Sequence, residues 1–102
     1  MRVIVKEPGK EPVFAKCKNE LKALQKLVGG YIETVRLARR VVMIVNEEGR
    51  LQNLQPNFMI DGRLIVGTAV FAGVKGEEFT DVPWEPMDLK ILYPEIKGGI
   101  IE

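Results

Sequence analysis

Short β-branched runs alternate along the chain with polar, glycine- and proline-rich breaks, and one stretch repeats at helical spacing. That stretch is NELKALQKLVGGY, residues 19–31. Leu21, Leu24, Leu27 and Val28 follow the i, i+3, i+6, i+7 spacing of one buried helix face, while Lys22, Gln25 and Lys26 take the other. Asn19 stands where a side-chain oxygen can accept an orphan N–H of the first turn. Glu20 sits where the helix dipole favours a negative charge. Gly29 and Gly30 stop the element, because glycine reaches the left-handed C-cap conformation without a Cβ penalty. The pattern predicts a helix over about 20–28, held by packing of its apolar face, since so short a helix does not persist on propensity.

Arg2 to Lys6 (RVIVK) predicts a strand. Glu7-Pro8-Gly9-Lys10 predicts a turn, and Pro12 to Cys17 (PVFAKC) the returning strand. Lys6, Glu7, Lys10 and Glu11 then form a solvated charge cluster at the blunt end of this hairpin. Tyr31 to Leu37 (YIETVRL) alternates with neither face wholly apolar, which suits an edge or half-wet strand. Arg39-Arg40 fits a tight turn. Val41 to Val45 (VVMIV) is a continuous apolar run, the best candidate for a central strand covered on both faces. Asn46-Glu47-Glu48-Gly49 reads as a turn. Residues 53–63 (NLQPNFMIDGR) are broken by Pro56 and Gly62 and read as a loop. Leu64 to Val74 (LIVGTAVFAGV) reads as one long buried strand in which Gly67 and Gly73 mark a bulge, a bend or a close backbone approach.

A short C-terminal helix is expected between 82 and 93, capped by Thr80 or Asp81 with Pro83 in its first turn. Pro86 weakens that helix and Pro94 ends it. Residues 95–102 are expected to be a loose tail. The sum is a single α+β domain over residues 1–102. Its sheet is mostly antiparallel, of about five strands, with the main helix and the short C-terminal helix packed on one face.

Composition narrows the chemistry. The chain has no histidine, and its sequence contains no serine. Serine triads, Cys–His pairs and histidine acid–base catalysis are therefore absent from the menu. So are zinc sites built on histidine or several cysteines. The expectation is a non-enzyme without cofactor or metal. A net charge of +1 gives no general attraction to nucleic acid or anionic membrane. A lone cysteine, Cys17, suits a reducing cytosol. The apolar run at the N-terminus is too short for a signal peptide, and no window approaches the ~20 apolar residues of a membrane span.

Several groups of residues are candidates for a site. Gly29, Gly30 and Tyr31 form a corner that either joins helix to strand tightly or lets a ligand or partner backbone approach. The amides of Asn53, Gln55 and Asn57, with Phe58 beside them, could read a polar ligand or a peptide backbone, unless the segment is a structured crossover with Phe58 in the core. Arg36, Arg39 and Arg40, with Tyr31 as a stacking ring, have the elements of a single-strand nucleic-acid patch, or of a wet sheet face. Asn46, Glu47, Glu48 and Glu33 could bind a divalent cation but match no calcium loop. Trp84 is either a core or an interface anchor.

An N-terminal strand ending in EPG, then LKALQKLVGGYIE, VNEEGRL followed by LQPN, IVGTAVFAG and GEEFTD together resemble the family catalogued as domain of unknown function 3846. The resemblance covers about Met1 to Asp81, and its most specific segments are residues 27–33 and 45–49. It implies a small cytosolic accessory protein of bacteria, phages or other mobile elements, and it carries no catalytic residue with it. The expected function is binding of a protein partner or self-association through a strand edge or the 53–63 segment. The alternatives are sequestration of a small polar, nucleotide-like ligand, and weak nucleic-acid binding through the three arginines.

Overall fold

The computed structural model describes residues 1–96. The elements among them run β1 (Arg2–Lys6), β2 (Val13–Lys16), α1 (Leu21–Val28), β3 (Ile32–Ala38), β4 (Val41–Asn46), β5 (Pro56–Ile60), β6 (Arg63–Val66), β7 (Ala69–Lys75), β8 (Glu78–Thr80) and α2 (Pro86–Leu92). The main sheet has the order β2-β1-β7-β4-β3, with β8 also paired to β7, and every pairing is antiparallel. A separate ribbon holds β5 and β6. The fold is α+β, with a sheet larger than the five strands expected. β4 is interior and buried throughout, as its apolar run implied, but the central strand is β7.

The pleat sorts the core into two layers. On one side Val3, Val42, Ile44, Val70 and Ala72 meet Leu24 and Val28 of α1. On the other, Ile4, Met43, Val45 and Phe71 meet Phe58, Ile60 and Ile65 of the ribbon, and Leu89 of α2 with Ile96 beyond it. Phe58 stacks on Phe71 with ring centroids 6.3 Å apart. Each such burial is worth about 1.5–3 kcal/mol, so both faces hold the sheet. The two helices therefore lie on opposite faces rather than together on one.

Several boundaries differ from the sequence reading. Residues 53–63 are not a loop throughout. Pro56 opens β5, and Asp61 (φ 47°) and Gly62 (φ 77°) make the two-residue turn that pairs Ile60 with Arg63. Positive φ at both central residues is the turn that matches strand twist, and Asp-Gly is its usual sequence. The run Leu64 to Val74 is cut at Gly67, so that β6 belongs to the ribbon and β7 to the main sheet. Helix α1 is capped at Glu20 without a side-chain bond. The Asn19 carboxamide instead donates to the Phe79 carbonyl at 2.8 Å. Leu21 stays 56% exposed, so Leu24 and Val28 carry the buried face.

Helix α2 begins at Pro86, where a missing N–H costs nothing and a fixed φ helps. The Asp88 carboxylate accepts the Glu85 N–H at 2.7 Å. Trp84 is half-buried against the core. Of the expected tail, Ile96 is buried, and residues 97–102 lie outside the described residues.

Candidate binding groove at the glycine corner

Helix α1 ends where Gly29 turns left-handed at φ 79°. The N–H groups of Gly29 and Gly30 both donate to the Gln25 carbonyl, at 2.8 and 3.0 Å. Gly30 has a different reason to be glycine. A Cβ there would lie 2.8 Å from Nδ2 of Asn46, so the close approach belongs to a protein side chain. Asn46 is 5% exposed. Its Nδ2 donates to the Val28 carbonyl and to Oε1 of Gln52, each at 3.1 Å, and its Oδ1 accepts the Glu48 N–H at 2.7 Å. One carboxamide thereby joins the helix end, β4 and the turn after it. Burying it is tolerable because both its polar atoms are bonded.

An open groove of about 550 Å³ lies beside this corner. Lys22, Gln25, Lys26 and Gly29 line it at i, i+3, i+4 and i+7, one flank of α1. Lys26 also borders the opposite flank, where Ala23 and Leu27 face Lys16 and Cys17 at the β2 end of the sheet, and Tyr31 places the groove on the β3 side. Tyr31, 66% exposed, and Gln52 complete its walls. Among the described residues, the Lys22 and Lys26 ammoniums, the Gln25 carboxamide and the Tyr31 hydroxyl bond to no protein group, and Gln52 keeps Nε2 free. Such a site offers cationic donors, amides and one aromatic face.

Tyr31 leads directly into β3, an edge strand that among the described residues pairs only with β4. The Glu47 N–H donates to the Tyr31 carbonyl at 2.8 Å. With Tyr31 and Glu47 a hydrogen-bonded pair, alternation along the ladder turns the N–H groups of Ile32, Thr34 and Arg36 outward.

The other sequence candidates are placed elsewhere. Asn57 and Phe58 are 1% and 0% exposed and belong to the core, not to a binding loop. Asn57 Nδ2 donates to the carbonyls of Lys6 and Gly67, and its Oδ1 accepts from Lys6 Nζ, all at 2.8 Å. Lys6 is itself buried and also bonds the Glu7 carbonyl at 2.8 Å, so it leaves the solvated cluster expected at the hairpin end. Burial pushes its pKa below the usual lysine range, against the raising effect of the Glu11 charge. Asn53 and Gln55 are exposed, Asn53 at φ 56° and Gln55 with its carbonyl accepting the Gly67 N–H at 2.7 Å.

Arg36, Arg39 and Arg40 are exposed together at the β3–β4 turn, where Arg36 donates to the Arg39 carbonyl at 2.8 Å. Tyr31 is at the far end of the strand, roughly 20 Å away at about 3.3 Å per residue, and does not join them. Glu33 pairs with Arg63 at 2.7 Å. No group of three or more acidic or cysteine side chains stands ready for a metal among the described residues. Cys17 is half-buried and bonds the Lys18 carbonyl at 3.2 Å, and burial raises its thiol pKa. Lys22, Gln25, Lys26 and Gln52 were not singled out in advance. The signal for the first three is the polar stripe of the helix, which reads as a solvated face, and Gln52 lies in the turn region after β4.

A family model described as domain of unknown function (DUF3846) matches residues 1–93. The chain belongs to this family. In this DUF3846 chain the matched region runs from β1 through α2 and contains the glycine corner, the groove and the β3 edge. No curated protein and no solved structure matches the chain. Among its described residues, no helix is long and apolar enough to cross a membrane.

Proposed function

We propose that the chain is a non-catalytic binding protein that recognises a partner protein through the open edge of β3 and the groove beside α1. The carrying observation is the edge itself. Over seven residues β3 bonds to β4 on one side and, among the described residues, to no other strand on the other. Unpaired edge groups are a template for another strand, and here the regular part of the edge runs from Ile32 to Arg36, before the register shifts between Arg36 and Ala38. Lys22, Lys26 and Tyr31 beside it, unpaired among the described residues, add contacts for specificity. The setting we infer is the cytosol, as an accessory protein of a phage or mobile element.

Thr34→Pro tests this reading. It removes one outward N–H without taking a bond from the β3–β4 ladder. The wild type should retain a partner from a matched host lysate, and the folded variant should lose it. Equal retention by both would reject the edge.

A second reading has its own observation: an exposed aromatic ring beside two ammoniums that are unpaired among the described residues suits a small nucleotide-like ligand. Such a ligand at 100 times its Kd adds about 2.7 kcal/mol of stability. A nucleotide panel that leaves the melting temperature unmoved rejects it.

A further inference from the structure

We infer that the segment received by β3 is an extended strand with acidic side chains at alternate positions on the α1 side and apolar side chains between them. This rests on β3 being a docking edge and names what docks.

The pleat gives the edge two different sides. Ile32, Thr34 and Arg36 share the face that carries α1: Ile32 packs in the layer of Leu24 and Val28, and Thr34 is opposite Ile44 of that layer. Positive charge stands at both ends of this side, Arg36 near the β3–β4 turn and the two helix lysines by the groove at the Tyr31 end. Arg36 is exposed on the strand, and Lys22 and Lys26 stand on the near flank of α1 without an acidic partner among the described residues. Glu48 is the one acid among the described residues that line the groove.

The other side holds Glu33, Val35 and Leu37. Glu33 is already neutralised by Arg63 on β6, and Val35 and Leu37 pack against the core while staying partly open. An added strand alternates its own side chains between the same two sides. One set meets cations, the other meets aliphatic carbon. Opposite charges across a strand pair stabilise it and like charges do the reverse, so the edge selects acid on one side only.

The test uses the full chain, labelled with ¹⁵N, and three short peptides that alternate Val with Glu, Gln or Lys. The Glu peptide should shift the backbone amides of Ile32, Thr34 and Arg36, bind about tenfold more tightly than the Gln peptide, and weaken as salt rises. The double variant Lys22→Glu, Lys26→Glu should turn the preference toward the Lys peptide. Equal binding of all three peptides at β3 would overturn the acidic preference and leave the docking edge intact. Binding by none of them would also overturn it, while Thr34→Pro in the lysate experiment still judges the edge on its own. Shifts confined to α1 and Tyr31, with the β3 amides unmoved, would overturn both.

Discussion

The glycine corner and the 53–63 segment attract notice for the same reason: small and amide-bearing residues set between regular runs. Their fates are opposite. In the second, Asn57 spends both polar atoms on Lys6 and Gly67, and Phe58 fills the core. In the first, the buried amide of Asn46 is equally satisfied, but around it stand Lys22, Gln25, Lys26 and Tyr31, whose side chains bond to nothing among the described residues. What separates a structural amide from an available one is whether the fold supplies its partners, and residue type does not say.

Substitutions can break this contrast, the largest expected effect coming first. Phe58→Ala should cost about 3–5 kcal/mol in urea unfolding, since a buried ring leaves a cavity against Phe71. A loss under about 1 kcal/mol would return Phe58 to a loop. Asn57→Ala should cost roughly 3 kcal/mol, because it removes the donor to two buried carbonyls, at about 1–3 kcal/mol for each group left unsatisfied, and leaves the Lys6 ammonium with the Glu7 carbonyl. Lys6→Met combined with Asn57→Leu should cost less than the two single changes added together. Strict additivity would mean that the pair is not coupled.

Gly30→Ala should cost about 1–3 kcal/mol by crowding Asn46, and a crystal structure or amide shifts at Glu48 would show the displacement. Titration gives a smaller effect. Below its unfolded pKa of 10.5, a lysine whose folded pKa is lowered is more protonated in the unfolded chain. Stability from Lys6 therefore rises with pH through the window between its folded pKa and 10.5. Cys17 and Tyr93, both raised by burial, act the other way above about pH 9. The difference between wild type and Lys6→Met isolates the lysine, and a flat difference curve would contradict its burial. Tyr31→Ala and Lys22→Ala should change stability by less than about 0.5 kcal/mol while reducing partner retention. A large loss of stability would make the corner structural like its counterpart.

Much of the architecture was legible because local rules and global packing agree. The β1–β2 hairpin, α1 with its glycine stop, the wet β3 and the dry β4 each announce themselves by period or composition. The β5–β6 ribbon was legible too, in Asp61-Gly62 between two apolar runs, but Pro56 and the surrounding amides spoke louder for a loop. Pro86 misled in the same way, because proline breaks helices except where it begins them. Lys6 was not legible at all. Nothing near Lys6 in the chain foretells that residue 57 will meet it. The groove was missed for a related reason, since Lys22 and Lys26 look like any solvated helix face until Tyr31 and Gln52 are brought opposite them.

The central strand β7 draws a further consequence. Along one side it is paired in relay, first by β1 against Ala69–Phe71 and then by β8 against Gly73–Lys75. The two segments meet end to end, with the Arg2 N–H on the Asp81 carboxylate and the Val82 N–H on the Arg2 carbonyl. During synthesis the first strand made must therefore wait for nearly the last. Until β7 leaves the ribosome, the β1–β2 hairpin and the β3–β4 pair share no strand, and Ile4 and Met43 lack Phe71 in their layer. The middle of the sheet closes late and all together, so the chain should fold slowly for its size and as one cooperative unit.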